Sequence, residues 1–321
     1  MAAMGDNNFM RYIYRGGEVD EIIPREATHI TVAADCTFVR ARAFEGHPNI
    51  VEIICHENVE KIEEEAFSYC STLKRAIMPG VKIVERGAFV WCAALAYVEC
   101  GKLETIEEHT FGWCKELGSI NLPSVGIVEE RAFYDCSNLK KVKFGNNLER
   151  IECGAFGKCT SLERISIPLK FGLITEDDTF QECVRFNHVD IVEGEILQFI
   201  AALQLEDWRN DMNEEIDSIN RILRNARFGY YDYDEDTEED YGDPGEKAQA
   251  IRRWIESVLN KIILYQEEHQ QIMHEAATAL QFTLPRDIAF NNVLPFLELP
   301  SLHVGMYQVQ YQFYAHPLRF R

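Results

Sequence analysis

One phrase governs what this 321-residue chain can fold into: Ala-Phe-x-x-Cys-x-x-Leu, which returns with substitutions seven times between Ala43 and Phe186. Its phenylalanines are Phe44, Phe67, Phe89, Phe111, Phe133, Phe156 and Phe180, spaced 23, 22, 22, 22, 23 and 24 residues apart. A unit of that length cannot bury its apolar face alone and must stack on its neighbours, so the period predicts a solenoid.

The slots within the unit support this. The leucine slot holds Ile50, Leu73, Leu95, Leu117, Leu139, Leu162 and Phe186, all bulky and apolar. Apolar residues two apart follow, such as Ile120 and Leu122 or Ile165 and Ile167, which alternation places on one face of a strand. A second apolar pair, such as Leu148 and Ile151, leads into the next unit. The cysteine slot holds Cys70, Cys92, Cys114, Cys136, Cys159 and Cys183, with His47 in the first unit. Thiols that recur once per coil form a parallel row, whereas a metal site needs ligands converging on one point. They are read as core, where free cysteine packs as a small hydrophobe. Cys36, Cys55 and Cys100 also fall in apolar slots, and Cys153, in a polar one, is the candidate exposed thiol. The glutamates before each Phe (Glu63, Glu64, Glu65, Glu107, Glu108, Glu129 and Glu130) are read as a solvated rim.

Residues 1–40 read as an N-terminal strand cap and 41–192 as the solenoid. From residue 193 the apolar spacing becomes helical: Ile196, Phe199, Ile200 and Leu203, then Met212, Ile216, Ile219, Ile222 and Leu223. A second stripe runs Ile251, Trp254, Ile255, Val258, Leu259, Ile262 and Ile263, continuing through Ile272, Met273 and Leu280. Residues 193–283 are thus expected to form two long helices as an antiparallel hairpin, joined by an acidic flexible loop at 229–245. Residues 284–321 read as a short helix and an irregular tail. The fold class is therefore α+β, a solenoid with a parallel sheet followed by a helical hairpin.

The phrases Cys-Ser-Asn-Leu-Lys-Lys-Val-Lys-Phe at 136–144 and Leu-Glu-Arg-Ile-Glu-Cys-Gly-Ala-Phe at 148–156 resemble the BspA-type leucine-rich repeat. The segments at 203–216 and 292–300 are similar to the helical C-terminal regions of algal members of that family. The resemblance implies this architecture and a protein-binding role, with no activity attached. Residues 284–297 also loosely resemble the opening of an F-box, which implies a ubiquitin-ligase substrate receptor as an alternative.

Composition narrows the function classes. Thirty-two basic against 53 acidic residues give a formal charge of -21, which argues against nucleic acid or an anionic membrane as partner. The N-terminus lacks a signal-peptide pattern, no apolar run reaches membrane-spanning length, and no glycosylation sequon occurs. The expectation is a reduced, intracellular protein, cytoplasmic or nuclear. Nucleophile-elbow, phosphate-loop and zinc-protease motifs are absent, so no enzyme and no cofactor are expected. Asp232, Asp234, Asp236, Asp240 and Asp243 fit a calcium-loop spacing, but Thr237 replaces the turn glycine and no metal is expected.

Binding then falls to the residues between the core slots. Those two and four beyond the leucine slot point away from the core: Glu52 and Ile54, Arg75 and Ile77, Tyr97 and Glu99, Ser119 and Asn121, Lys141 and Lys143, Arg164 and Ser166, His188 and Asp190. Arg75, Lys141, Lys143 and Arg164 on an acidic chain suggest an acidic protein or peptide partner. Self-association through the helices is the remaining alternative, the oligomeric state being open.

Overall fold

The computed structural model describes residues 10–16, 22–192, 195–202, 206–225 and 245–281. Each coil of the solenoid has three stations: a long strand, a short strand and a turn. The long strands are β1 (Arg11–Tyr14), β2 (His29–Val32), β4 (Glu52–Cys55), β6 (Arg75–Ile77), β8 (Tyr97–Glu99), β10 (Ser119–Leu122), β12 (Lys141–Phe144), β14 (Arg164–Ile167) and β15 (His188–Ile191). The short strands are β3 (Phe38–Val39), β5 (Lys61–Ile62), β7 (Ile83–Val84), β9 (Thr105–Ile106), β11 (Ile127–Val128) and β13 (Arg150–Ile151). All pairing between them is parallel. The short strands make one six-stranded sheet, but the long strands make two, β1-β2-β4-β6-β8 and β10-β12-β14-β15. The backbone ladder is interrupted between β8 and β10.

The turn station explains the repeated phrase. The Phe N–H of each coil donates to the residue before the next Phe, as in Phe67 to Ala88 at 2.8 Å and Phe111 to Ala132 at 2.8 Å. The seven Phe rings form one column, with centroids 4.8 to 5.8 Å apart and planes within 14°. Each is almost fully buried, a gain of about 1.5–3 kcal/mol per side chain. Thr110 and Thr179 stand where other coils have alanine, and turn their hydroxyls back onto Glu107 and Glu176 carbonyls at 2.8 and 2.9 Å.

The cysteine slot is buried as expected and does more than pack. Every thiol donates to the Phe carbonyl of the preceding coil: Cys70 to Phe44 at 2.9 Å, Cys92 to Phe67 at 3.1 Å, Cys114 to Phe89 at 3.3 Å, Cys136 to Phe111 at 3.1 Å, Cys159 to Phe133 at 3.1 Å and Cys183 to Phe156 at 3.0 Å. A sulfhydryl is small enough for the slot and supplies a second donor to a carbonyl that already accepts the N–H three residues on, as Phe89 does from Cys92 at 3.1 Å. None of the ten cysteines is in a disulfide.

The glutamate rim is also structural. Glu63, Glu85, Glu107 and Glu129 accept the turn N–H of the coil before: Ala41 at 2.9 Å, Glu64 at 3.0 Å, Arg86 at 3.0 Å and Glu108 at 3.2 Å. Stacking aligns these carboxylates, and burial together with the like charges of Glu85 and Glu129 raises Glu107 above its ordinary range. The turns are sharp enough to put ten non-glycine residues at left-handed φ, between 51° and 62°. Each costs roughly 1–2 kcal/mol, offset by the inter-coil hydrogen bonds.

Three helices follow: α1 (Glu195–Ala202), α2 (Glu206–Asn225) and α3 (Glu246–Gln281). The first expected helix is thus two. Glu206 and Asp207 place two carboxylates on the first turn of α2, a charge pattern that favours a helix start there. The helices α2 and α3 run antiparallel: Trp254 Nε1 donates to the Glu215 carbonyl at 2.9 Å, Lys261 pairs with Asp211 and Glu215 at 3.0 and 3.1 Å, and the Tyr265 hydroxyl donates to Asp211. Trp208 stacks on Tyr265 at 4.8 Å. Past that point α3 outruns α2, so Ile272, expected in the buried stripe, is 46% exposed.

The helical region closes the solenoid's C-terminal end. Asn220 Oδ1 accepts the Val189 N–H of the last strand at 2.8 Å, covering part of an otherwise bare edge. Lys247, on the first turn of α3, is buried and donates Nζ to the Cys183 carbonyl at 3.0 Å and to the Phe186 carbonyl. Burial pushes its pKa down to about 8. Arg252 pairs with Asp177 alongside.

Candidate protein-binding face

Alternation along the long strands turns every second residue inward: Ile53, Ala76, Val98, Ile120, Val142, Ile165 and Val189 are buried. The residues between them form two outward rows, held in line by register. Glu52 stands beside Arg75, and Arg75 beside Tyr97; Ile54 stands beside Ile77, and Ile77 beside Glu99. Beyond the break, Ser119, Lys141, Arg164 and His188 are in one row and Asn121, Lys143, Ser166 and Asp190 in the other. All fourteen sequence-derived residues are therefore brought onto one face. His29 and Thr31 extend both rows by one coil, since His29 pairs with Glu52 and Thr31 with Ile54. The buried Ile30 and Val32 were their signal in the sequence.

The charges on this face are not equivalent. Arg75 Nε lies 3.2 Å from Glu52 Oε1, and its guanidinium sits 5.1 Å from the Tyr97 ring centre. The Tyr97 hydroxyl donates to Glu99 at 3.2 Å. Arg164 donates to both Asp190 oxygens at 3.0 and 3.1 Å, and His188 Nε2 is 3.0 Å from the same carboxylate. Lys141 and Lys143 are exposed, with no ion-pair partner among the described residues. The face thus has two parts. The first carries Ile54, Ile77 and Tyr97 beside the Glu52–Arg75 pair and the Glu99 carboxylate, and the second carries two lysines unpaired among the described residues.

Other candidates fare differently. Cys153 is half-buried and donates to Asp178 Oδ2 at 3.2 Å; burial and that carboxylate push its pKa up to about 11, so it is not a ready thiolate. Among the described residues, no three His, Cys, Asp or Glu side chains gather as a metal site, and no helix is long and apolar enough to cross a membrane. The acidic spacing at 232–243 and the F-box-like segment at 284–297 lie outside the described residues.

The solved leucine-rich repeat protein of T. pallidum is 22% identical over 56% of this chain and 78% of its own, with a TM-score of 0.42. One from Bacteroides ovatus is 20% identical over 52% of this chain and 61% of its own, at a TM-score of 0.25. The pneumococcal vaccine antigen PcpA is 16% identical over 56% and 66%, at 0.33. This chain thus spans less than two thirds of the length of the second and third. No curated protein matches. The model of the BspA type leucine rich repeat region matches in six copies over residues 25–102 and 82–200, more than half of the sequence. Repeats of this kind generally mediate protein–protein interaction and are typically non-catalytic scaffolds. With its turn column, parallel sheets and matched residues in agreement, the chain belongs to the BspA-type leucine-rich repeat family.

Proposed function

We propose that the protein is a non-catalytic scaffold that binds an acidic protein segment across the exposed strand face. The observation that carries this reading is the pair Lys141 and Lys143, two neighbouring cations without ion-pair partners among the described residues, on a chain of formal charge -21. Arg75 and Arg164, already tied to Glu52 and Asp190, contribute less charge to a partner. Ile54, Ile77 and Tyr97 supply apolar contact in the other half, tyrosine being a favoured anchor.

A fluorescein-labelled peptide rich in aspartate and glutamate tests it by anisotropy. Reversing both lysines (Lys141→Glu with Lys143→Glu) is expected to weaken binding about ten-fold, with a smaller loss for Arg75→Glu with Arg164→Glu. Equal binding by the lysine variant and the parent would end the acidic-partner reading. We further place the protein in a reducing intracellular compartment, supported by ten cysteines with no disulfide; imaging of a tagged chain in its source cell checks this. A second reading, self-association through the helices, draws on exposed Ile222, Leu264 and Ile272. A concentration-independent monomer by light scattering would remove it.

A further inference from the structure

The turn side carries a second aromatic column, on the outside. Two residues beyond the core Phe, at a left-handed position, successive coils place Tyr69, Trp91 and Trp113. Their rings are parallel within 6°, with centroids 6.3 and 4.9 Å apart. The far end is closed by Tyr134, tilted 59° against Trp113 at 5.3 Å. The near end is open. The first coil has Gly46 at the same station, with φ +63°, joined to the second coil by its N–H to the Ser68 carbonyl at 2.7 Å. Among the described residues, a Cβ on Gly46 would meet no atom within 4 Å. Tyr69, 57% exposed, therefore has one ring face against Trp91 and the other over an open rung.

The charge around that rung has a sign. The two turns that frame it, residues 41–46 and 64–69, hold Glu45, Glu64 and Glu65 against the single Arg42. Arg42 is already engaged, 2.7 Å from Glu65 and 4.0 Å from Glu45. An aromatic face attracts cations, and the chain as a whole is strongly acidic. A planar cation satisfies all three conditions. It fills a space one ring thick, stacks on tyrosine, and donates to nearby carboxylates; guanidinium has that shape and an ammonium does not.

We propose that this open rung is a docking slot for an arginine side chain of a partner protein, stacked on Tyr69 over Gly46. The slot is separate from the strand face, so the two surfaces can be tested independently.

The experiment uses the full chain and two fluorescein-labelled peptides of equal charge, one alternating arginine with glycine and the other lysine with glycine. The arginine peptide is expected to bind about five-fold tighter. Gly46→Tyr completes the column with a residue that Tyr69 shows the station accepts. It should reduce arginine-peptide binding to the lysine level and leave the lysine peptide unchanged. Tyr69→Leu should do the same by removing the ring. Lys141→Glu with Lys143→Glu should leave the arginine preference intact. Equal affinity for the two peptides, arginine binding that survives Gly46→Tyr, or stronger competition by a phenylalanine–glycine peptide would each overturn the proposal.

Discussion

The turn side and the strand face of the solenoid are built from the same coils, yet they use their polar groups in opposite ways. On the turn side each thiol of the cysteine slot donates to the Phe carbonyl of the coil before, and four glutamates are taken by turn N–H groups. On the strand face the residues differ from coil to coil, the ladder breaks between β8 and β10, and two lysines stay unpaired among the described residues. Repetition therefore solves a folding problem and consumes the groups it repeats. What remains for recognition lies where one coil departs from the rest, as at Lys141 and Lys143 or at Gly46.

The largest expected effect tests the buried thiols as a set. Burial raises eight of them, with Cys55, Cys70 and Cys100 pushed up to about 12 and the others also raised from 9.0. Unfolded thiols ionise from about pH 9 while the folded ones stay protonated, so stability falls as pH rises above 9. Each thiol contributes about 1.4 kcal/mol per pH unit in that window. Lys247 acts in the opposite sense, because a folded pKa of about 8 lets stability rise between there and 10.5, but it is a single group. Thermal melts from pH 8 to 10.5 should show a steep loss; a flat profile would mean the thiols are not buried. Next in size, Phe111→Ala cuts the column at its middle and should cost about 3–5 kcal/mol by denaturant titration.

The sequence made the inner half of this comparison legible and the outer half only partly so. The Phe, Cys and leucine slots could be placed because burial tolerates few residue types, and seven copies repeat the constraint. Alternation alone put Glu52 to Asp190 on one face. The hydrogen-bonding roles of Cys114 or Glu107 were hidden, since a buried hydrophobe and a buried donor select the same residue, and a rim carboxylate looks the same as a capping one. The pairing of Arg75 and Arg164 was also out of reach, because it depends on which residue stands one coil away. The break after β8 has no signal in the apolar pattern, which runs through it unchanged.

Two substitutions at one slot sharpen the packing question. Cys114→Val fills the space but removes one of two donors to the Phe89 carbonyl, which keeps the Cys92 N–H at 3.1 Å, a loss of about 0.5–1.5 kcal/mol. Cys114→Ser keeps a donor and should cost less than valine; the reverse order in urea titrations would return the slot to packing alone. Glu85→Ala removes the acceptor for the Glu64 N–H, and also the Lys61 ion pair at 2.6 Å. It should cost about 1 kcal/mol, in the range of a lost helix cap.

The smallest expected effect belongs to the strand face. Lys141→Glu with Lys143→Glu changes two exposed side chains that stand beside Ser119, Asn121, Arg164 and Ser166 and make no ion pair among the described residues. Arg164 is held by Asp190, so a glutamate at 141 meets a cation already neutralised on its other side. Exposed pairs of this kind are worth about 0–1 kcal/mol, and surface changes away from caps and core stay within about 0.5 kcal/mol. The double variant should therefore unfold at the same denaturant midpoint as the parent while binding the acidic peptide about ten-fold more weakly. A loss of more than about 2 kcal/mol would place these lysines among the groups that hold the coils together, and the division between a turn side that folds and a strand face that binds would fail there.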